Sequence, residues 1–162
     1  GVRPDLSCYC KAIANGYALS AAVGREALRP AAENVFFTGS YFTSAVPMAA
    51  ALACLKELQA SGGIDQMWHI GTMLCRGLEE QGRSHGLPVN LTGPPSLPFM
   101  SFKDDAGSFG RNKAFGAACA ARGVYVHPHH NWFLSAAHSE TDIRRTLDVT
   151  DEAFKVVKQQ FA

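Results

Sequence analysis

Residues 7–25 read SCYCKAIANGYALSAAVGR and hold a lone ammonium, Lys11, in a run of small, apolar and hydroxylic residues. The nearest carboxylates are Asp5 before it and Glu26 well after it. The run reads as two short strands, LSCYCKAIA and LSAAVGR, flanking an NGY turn. A lysine among such neighbours loses hydration, which penalises its charged form and lowers its pKa. A neutral amine at a strand end is a nucleophile toward aldehydes. Gly16 would let the backbone pass close to a bound ring. The plainer reading is a lysine whose stem is buried and whose head reaches water, and the pattern alone favours it.

Outward from there, residues 26–45 (EALRPAAENVFFTGSYFTSA) predict irregular backbone, marked by Pro30, Asn34 and Gly39. Residues 44–59 (SAVPMAAALACLKELQ) predict a helix, with Pro47 tolerable only in its first turn. Its alanines suit close packing on several sides, and ASGG closes it. Thr38, Gly39 and Ser40 lead into its N-terminus, where free N–H groups and the helix dipole attract anions such as phosphate. Ser and Thr in front of a helix are also ordinary caps.

A second helix is predicted for residues 64–81, with Ile64, Met67, Trp68, Gly71, Leu74 and Leu78 on one buried face. Residues 82–105 read as strands broken by turns, with 99–102 as one strand. A short helix stops at Gly123, and VYVHP (124–128) and NWFLSAAH (131–138) read as strands. The last helix starts at a capping box of Ser139 and Asp142. Its seam is Ile143, Leu147, Thr150, Phe154, Val157 and Phe161. The fold class is therefore α/β and α+β, with a hinge at 61–63 between residues 1–60 and a smaller α+β domain at 64–162.

The 162 residues are 47% hydrophobic and 18% charged, enough to bury a core and to exclude disorder. Fifteen basic against fourteen acidic residues form no basic stripe, which argues against nucleic acid as a partner. No apolar run is long enough to span a bilayer and no signal peptide is visible, so the expectation is a cytoplasmic protein. The cysteines at 8, 10, 54, 75 and 119 read as reduced core thiols. The chain opens on GVRPDL without a methionine, which is expected of a fragment of a longer protein.

Taken in this order and spacing, PDLSCYCKAIANGY, LSAAVGR and FFTGSYFTSAVPMAAALACL resemble the class III (fold type I) pyridoxal-phosphate aminotransferases. The resemblance is closest to the branch around glutamate-1-semialdehyde aminomutase. The ending ARGVYVHPHHNWFLSAAHSETDIRRTLDVTDEAF has counterparts there too, so the likeness covers essentially the whole chain. It implies pyridoxal phosphate as cofactor, an amino donor and a keto or aldehyde acceptor as substrates, and a homodimer. By the same resemblance, Lys11 is the Schiff-base lysine that also moves protons at the substrate α-carbon. Ser40 is the residue that holds cofactor phosphate, reaching the neighbouring subunit's site, and Thr38 and Gly39 could share the contact. Residues 1–60 are then the C-terminal part of the cofactor-binding large domain, and 64–162 the small C-terminal domain.

The sequence departs from that family in several places. The usual G-N-P before the helix is Thr43-Ser44-Ala45, and the phosphate threonine is a serine. The tail loop HPHHNWF is shorter than the aminomutase's and has no acid, which makes an aminotransferase the safer reading. The family's aspartate for the pyridine nitrogen, its N-terminal phosphate loop and its ring-stacking aromatic all precede the lysine segment. They lie outside this chain, which alone is expected to hold cofactor poorly. The same fold also hosts racemases and decarboxylases, and a non-catalytic dimerisation module is a further alternative. Strands and faces that the missing portion would cover are expected to drive self-association. His127, His129 and His130 lack the spaced second pair that zinc sites want, so no metal is expected. His138 is expected to pack at the start of the last helix, with Arg25, Arg122, Arg144 and Arg145 as solvated charges.

Overall fold

The computed structural model describes residues 1–105 and 107–161. Two compact units emerge, Gly1–Ser61 and Gly62–Ala162, each with its own two-stranded antiparallel sheet.

In the first unit, β1 (Leu6–Tyr9) pairs with β2 (Ala21–Gly24) in the register Leu6↔Gly24 and Tyr9↔Ala21. A 3-10 turn, Lys11–Ala14, interrupts the first predicted strand between them. A further 3-10 turn, Glu26–Leu28, runs into the short α1 (Arg29–Ala32), whose first turn accepts Pro30. Residues 33–44 are irregular, and α2 (Ala45–Ala60) follows, with Pro47 in its first turn. Close packing of α2 on several sides is not what the structure shows. Only Pro47 and Ala51 of that helix are buried, while Val46, Leu52 and Leu55 are exposed. The five cysteines do not all lie in a core either: Cys8 and Cys10 are exposed and only Cys119 is buried. A two-stranded ribbon has no second layer to cover both faces, so Leu6, Cys8 and Tyr9 of β1 stay open to solvent.

In the second unit, α3 (Gly63–Ser84) buries Ile70, Leu74 and Leu78 together with glycines 63, 71 and 82. Gly71, Leu74 and Leu78 of the predicted face are buried, but its N-terminal end is not: Ile64 and Trp68 are 66% and 53% exposed and Met67 is half-buried. Gly71 explains the buried face. A Cβ there would lie 2.2 Å from the carbonyl oxygen of Pro95, so backbone meets backbone at that point. The hairpin β3 (Val89–Thr92) and β4 (Phe99–Phe102) pairs Val89 with Phe102, and α4 (Gly110–Ala120) packs against β4. Asp105 starts α4: its carboxylate accepts the N–H groups of Arg111 at 3.0 Å and Asn112 at 3.4 Å.

The segments 124–128 and 131–138 form no ladder, which corrects the strand expectation. Extended backbone becomes a strand only beside another strand. Here Trp132 and Leu134 donate single N–H bonds to Pro98 and Ser96 instead. The period-two burial survives in Val124 to His127 without a partner. The last helix, α5 (Glu140–Gln160), carries the capping box in full: Ser139 Oγ accepts the Asp142 N–H, and Asp142 accepts the Ser139 N–H. Those bonds hold the Asp142 carboxyl below the usual aspartate range. Phe102, Phe115 and Phe154 meet edge to face at 5.0 to 5.8 Å between ring centroids and form the centre of this core.

Candidate active site

β1 ends at Tyr9, Cys10 is extended, and the chain then reverses through Lys11 at φ 56. A left-handed conformation is ordinary for Gly and tolerated by Asn, but costs other L-residues about 1–2 kcal/mol. The turn is nevertheless well bonded: Asn15 N–H donates to Ala12 O at 3.2 Å and Tyr17 N–H to Ala14 O at 3.2 Å. It closes through Asn15 at φ 46 and Gly16 at φ 105, both suited to the left-handed region. An open cleft of about 560 Å³ lies on this turn, lined by Cys10, Lys11, Asn15, Gly16, Tyr17 and Leu19 among others.

Lys11 is exposed in the chain, not buried as its apolar sequence neighbours suggest. The residues that follow it, Ala12 to Ala14, lie in the 3-10 turn, where Ala14 is buried and Lys11 is not. No salt bridge engages it among the described residues. Cys10, Asn15 and Tyr17 share its cleft and were passed over as strand and turn residues. The NGY triplet was their only signal, since Asn and Gly mark a reversal of the chain.

Thr38, Gly39 and Ser40 are all exposed. The bend through them is closed by Phe42 N–H to Gly39 O at 3.1 Å and Ser44 N–H to Tyr41 O at 3.1 Å, with Phe37 edge-on to Phe42 at 5.3 Å. Ser44 sits at the N-cap of α2 but makes no side-chain cap bond, so the first N–H groups of that helix stay open. Among the described residues no hydrogen bond joins Lys11 to Thr38, Gly39 or Ser40. α2 itself does reach the lysine turn: Cys54 Sγ lies 3.6 Å from the Ala12 carbonyl. A primary amine beside a cleft can add to a carbonyl, and hydroxyls ahead of an uncapped helix can bind an anion; no hydrogen bond brings the two groups together among the described residues.

In the second unit, the rings of His127, His129 and His130 lie about 6 Å apart, at 6.2 and 6.0 Å from His127. One nitrogen of His127 accepts the His129 N–H at 3.1 Å, and His130 Nδ1 pairs with Asn131 O at 2.8 Å. No group of three or more His, Cys, Asp or Glu side chains that could hold a metal occurs among the described residues. His138 Nδ1 accepts the Ser135 N–H at 3.0 Å, just ahead of α5. Two of the arginines expected as solvated charges, Arg25 and Arg144, are exposed and make surface ion pairs, Arg25 with Asp5 at 2.8 Å and Arg144 with Glu140.

A family model described as aminotransferase class-III matches residues 1–156. The chain is 46% identical, over its full length, to an aminopentol aminotransferase of Sphingopyxis macrogoltabida. It is 32% identical over 96% of its length to a glutamate-1-semialdehyde 2,1-aminomutase of Desulforudis audaxviator. The chain spans 38% and 39% of the lengths of these two relatives. Among solved structures, the FumI protein of Sphingopyxis sp. MTA144, described as a PLP internal aldimine form, superposes with a TM-score of 0.94. It is 46% identical over 99% of this chain and 38% of its own. An omega-transaminase from Sphaerobacter thermophilus, 22% identical over 96% of this chain and 39% of its own, shares the fold with a TM-score of 0.86.

Proposed function

The chain belongs to the class-III aminotransferases, and from that membership we propose that its protein transfers amino groups with pyridoxal phosphate, using Lys11. The observation that carries the reading is the left-handed turn that sets Lys11 on the edge of a 560 Å³ cleft, free of any carboxylate partner among the described residues. That volume falls within the range of about 300–1,000 Å³ usual for small-molecule sites. The donor is read as an amine of an amino alcohol, on the strength of the 46% identity to the aminopentol aminotransferase. The short, acid-free loop HPHHNWF supports this over the aminomutase substrate.

When bound, the cofactor withdraws electrons from the substrate carbon that carries the amino group. Lys11 Nζ would hold the cofactor at its carbonyl carbon between turnovers. It would then take the proton from that substrate carbon and return it on the other side of the exchange. Ser40, with Thr38 and Gly39, would hold the phosphate by hydroxyl and backbone N–H donors. Cys54, where α2 touches the Lys11 turn, lies ten residues beyond Ser44, about 15 Å along the helix. Ser40 lies beyond that end. The separation supports a homodimer in which Ser40 serves the cofactor of the second copy.

We read residues 1–60 as the end of the large cofactor domain and 64–162 as the small α+β domain. A cytoplasmic location is part of the same reading. Among the described residues no helix is long and apolar enough to cross a membrane.

The test is a visible titration with pyridoxal phosphate, followed by borohydride reduction and peptide mapping, with Lys11→Ala in parallel. Saturable binding with label confined to Lys11 is the expected result for the full-length protein. Label spread over Lys56, Lys103, Lys113, Lys155 and Lys158, and unchanged in the variant, would overturn the assignment.

A further inference from the structure

The Lys11 turn is held from one side, by α2. Ala14, Pro47 and Ala51 are the buried residues among those described in the first unit, and α2 packs directly on the Lys11–Ala14 turn. One polar contact fixes that packing. Cys54 Sγ–H donates to the Ala12 carbonyl at 3.6 Å, and the same oxygen accepts the Asn15 N–H at 3.2 Å. The carbonyl next along the chain from Lys11 is therefore bonded both within the turn and to the helix.

This matters because Lys11 is an L-residue in the left-handed region, with φ 56. Left to itself, such a residue relaxes toward the right-handed or extended wells, and its side chain swings with it. Local strain persists only where surrounding contacts over-determine it. Asn15 and Gly16 accept their own left-handed geometry without penalty, so they exert no pull on Lys11 in either direction. From within, the Ile13 N–H bond to Cys10 O at 3.4 Å closes over Lys11; among the described residues, the side-chain hydrogen bond that reaches the turn from outside is that of Cys54.

We propose that Cys54 is a positioning residue for Lys11: by bonding the Ala12 carbonyl, its thiol keeps Lys11 in the left-handed conformation that presents its amine to the cleft. The inference rests on the reading of Lys11 as the cofactor lysine. Cys54 touches neither cofactor nor substrate; it acts through the turn. Its position is half-buried on a helix, so alanine there favours folding by propensity while removing the donor.

The experiment compares wild type, Cys54→Ala and Cys54→Ser. Each is loaded with pyridoxal phosphate at a sub-saturating concentration, reduced with borohydride and mapped by mass. Hydrogen exchange across residues 11–17 is followed on the cofactor-free protein. The expected result for Cys54→Ala is a loss of about two- to five-fold in label at Lys11, the weight of one modest hydrogen bond. Exchange of the Asn15 amide speeds up in that variant, and the melting temperature stays near wild type. Cys54→Ser, whose hydroxyl can donate to the same carbonyl, restores both readings. Equal label and equal exchange in wild type and Cys54→Ala would overturn the role of Cys54 while leaving Lys11 in place. Wild-type label scattered over other lysines would overturn the reading of Lys11, and this inference with it.

Discussion

Asn112 Nδ2 donates to the carbonyl of Met100 at 2.7 Å from a side chain that is 3% exposed. The same amide nitrogen reaches Pro128 O at 3.1 Å, and its oxygen accepts the Phe102 N–H at 3.3 Å. One side chain on α4 thus satisfies β4 and the extended segment after Gly123, a segment that has no strand of its own to pair with.

Replacing that amide removes three bonds and leaves backbone groups of Met100, Phe102 and Pro128 unpaired in the core. Asn112→Leu is expected to cost about 3 kcal/mol, since an orphaned buried group forfeits its full desolvation. Urea titration of the variant measures it. A midpoint equal to wild type would show that water replaces the amide at no loss.

Two glycines of α3 separate backbone from side-chain tolerance. A Cβ on Gly71 meets Pro95 O at 2.2 Å, whereas one on Gly77 meets Leu147 Cδ2 at 2.5 Å. Leu147 is half-buried and can rotate; the Pro95 peptide cannot. Gly71→Ala is expected to destabilise by about 3 kcal/mol. Gly77→Ala stays within about 1 kcal/mol of wild type, because gained helix propensity offsets the repacking. Parallel thermal melts decide between them, and equal losses would sink the distinction.

Local signatures were the legible part of this fold. Ser139 and Asp142 announce the start of α5 because the capping box is made by the residues that spell it. β4 is legible because Phe99 to Phe102 is a short, mostly apolar run between turns. Burial was harder to read. Helical spacing places Ile64, Trp68, Gly71 and Leu74 near one face, but Gly71 marks the row that meets backbone, and Ile70 joins it while Trp68 does not. Lys11 is legible as a chemical group through its motif. Its exposure is not, because apolar neighbours along a chain need not be neighbours in space. The distance along α2 between the hydroxyl bend and the lysine turn has no sequence signal at all, and neither does the contact of Cys54 with Ala12.

Acid should weaken the second unit through two carboxylates. The hydrogen bond from His85, then those from Lys155, hold the Asp151 carboxyl below the usual value. The bond from His69, then Arg144, does the same for Glu140. A carboxyl lowered on folding stabilises the native state above its unfolded pKa, and that contribution is lost as pH falls through the lower native one. The references are 3.8 for Asp151 and 4.5 for Glu140, so the loss falls on the acid side of those values. The urea midpoint is expected to fall from about pH 5 downward, less steeply in Asp151→Asn. An identical slope in the variant would remove Asp151 from the account.

Lys11 links stability to function in opposite directions. At φ 56 a lysine or an alanine is strained, and glycine is not. Lys11→Gly is therefore expected to be more stable than Lys11→Ala by about 1 kcal/mol, although the two variants lack the same amine. In most exposed turns the order is reversed or absent, because glycine also gains freedom in the unfolded chain. Both variants should fail to fix pyridoxal phosphate on borohydride reduction. Thermal melts of the pair, read beside the labelling, separate the two roles of the residue. A glycine variant less stable than the alanine one would mean that the left-handed turn is not kept in solution. The geometry argued for the amine would then need another source.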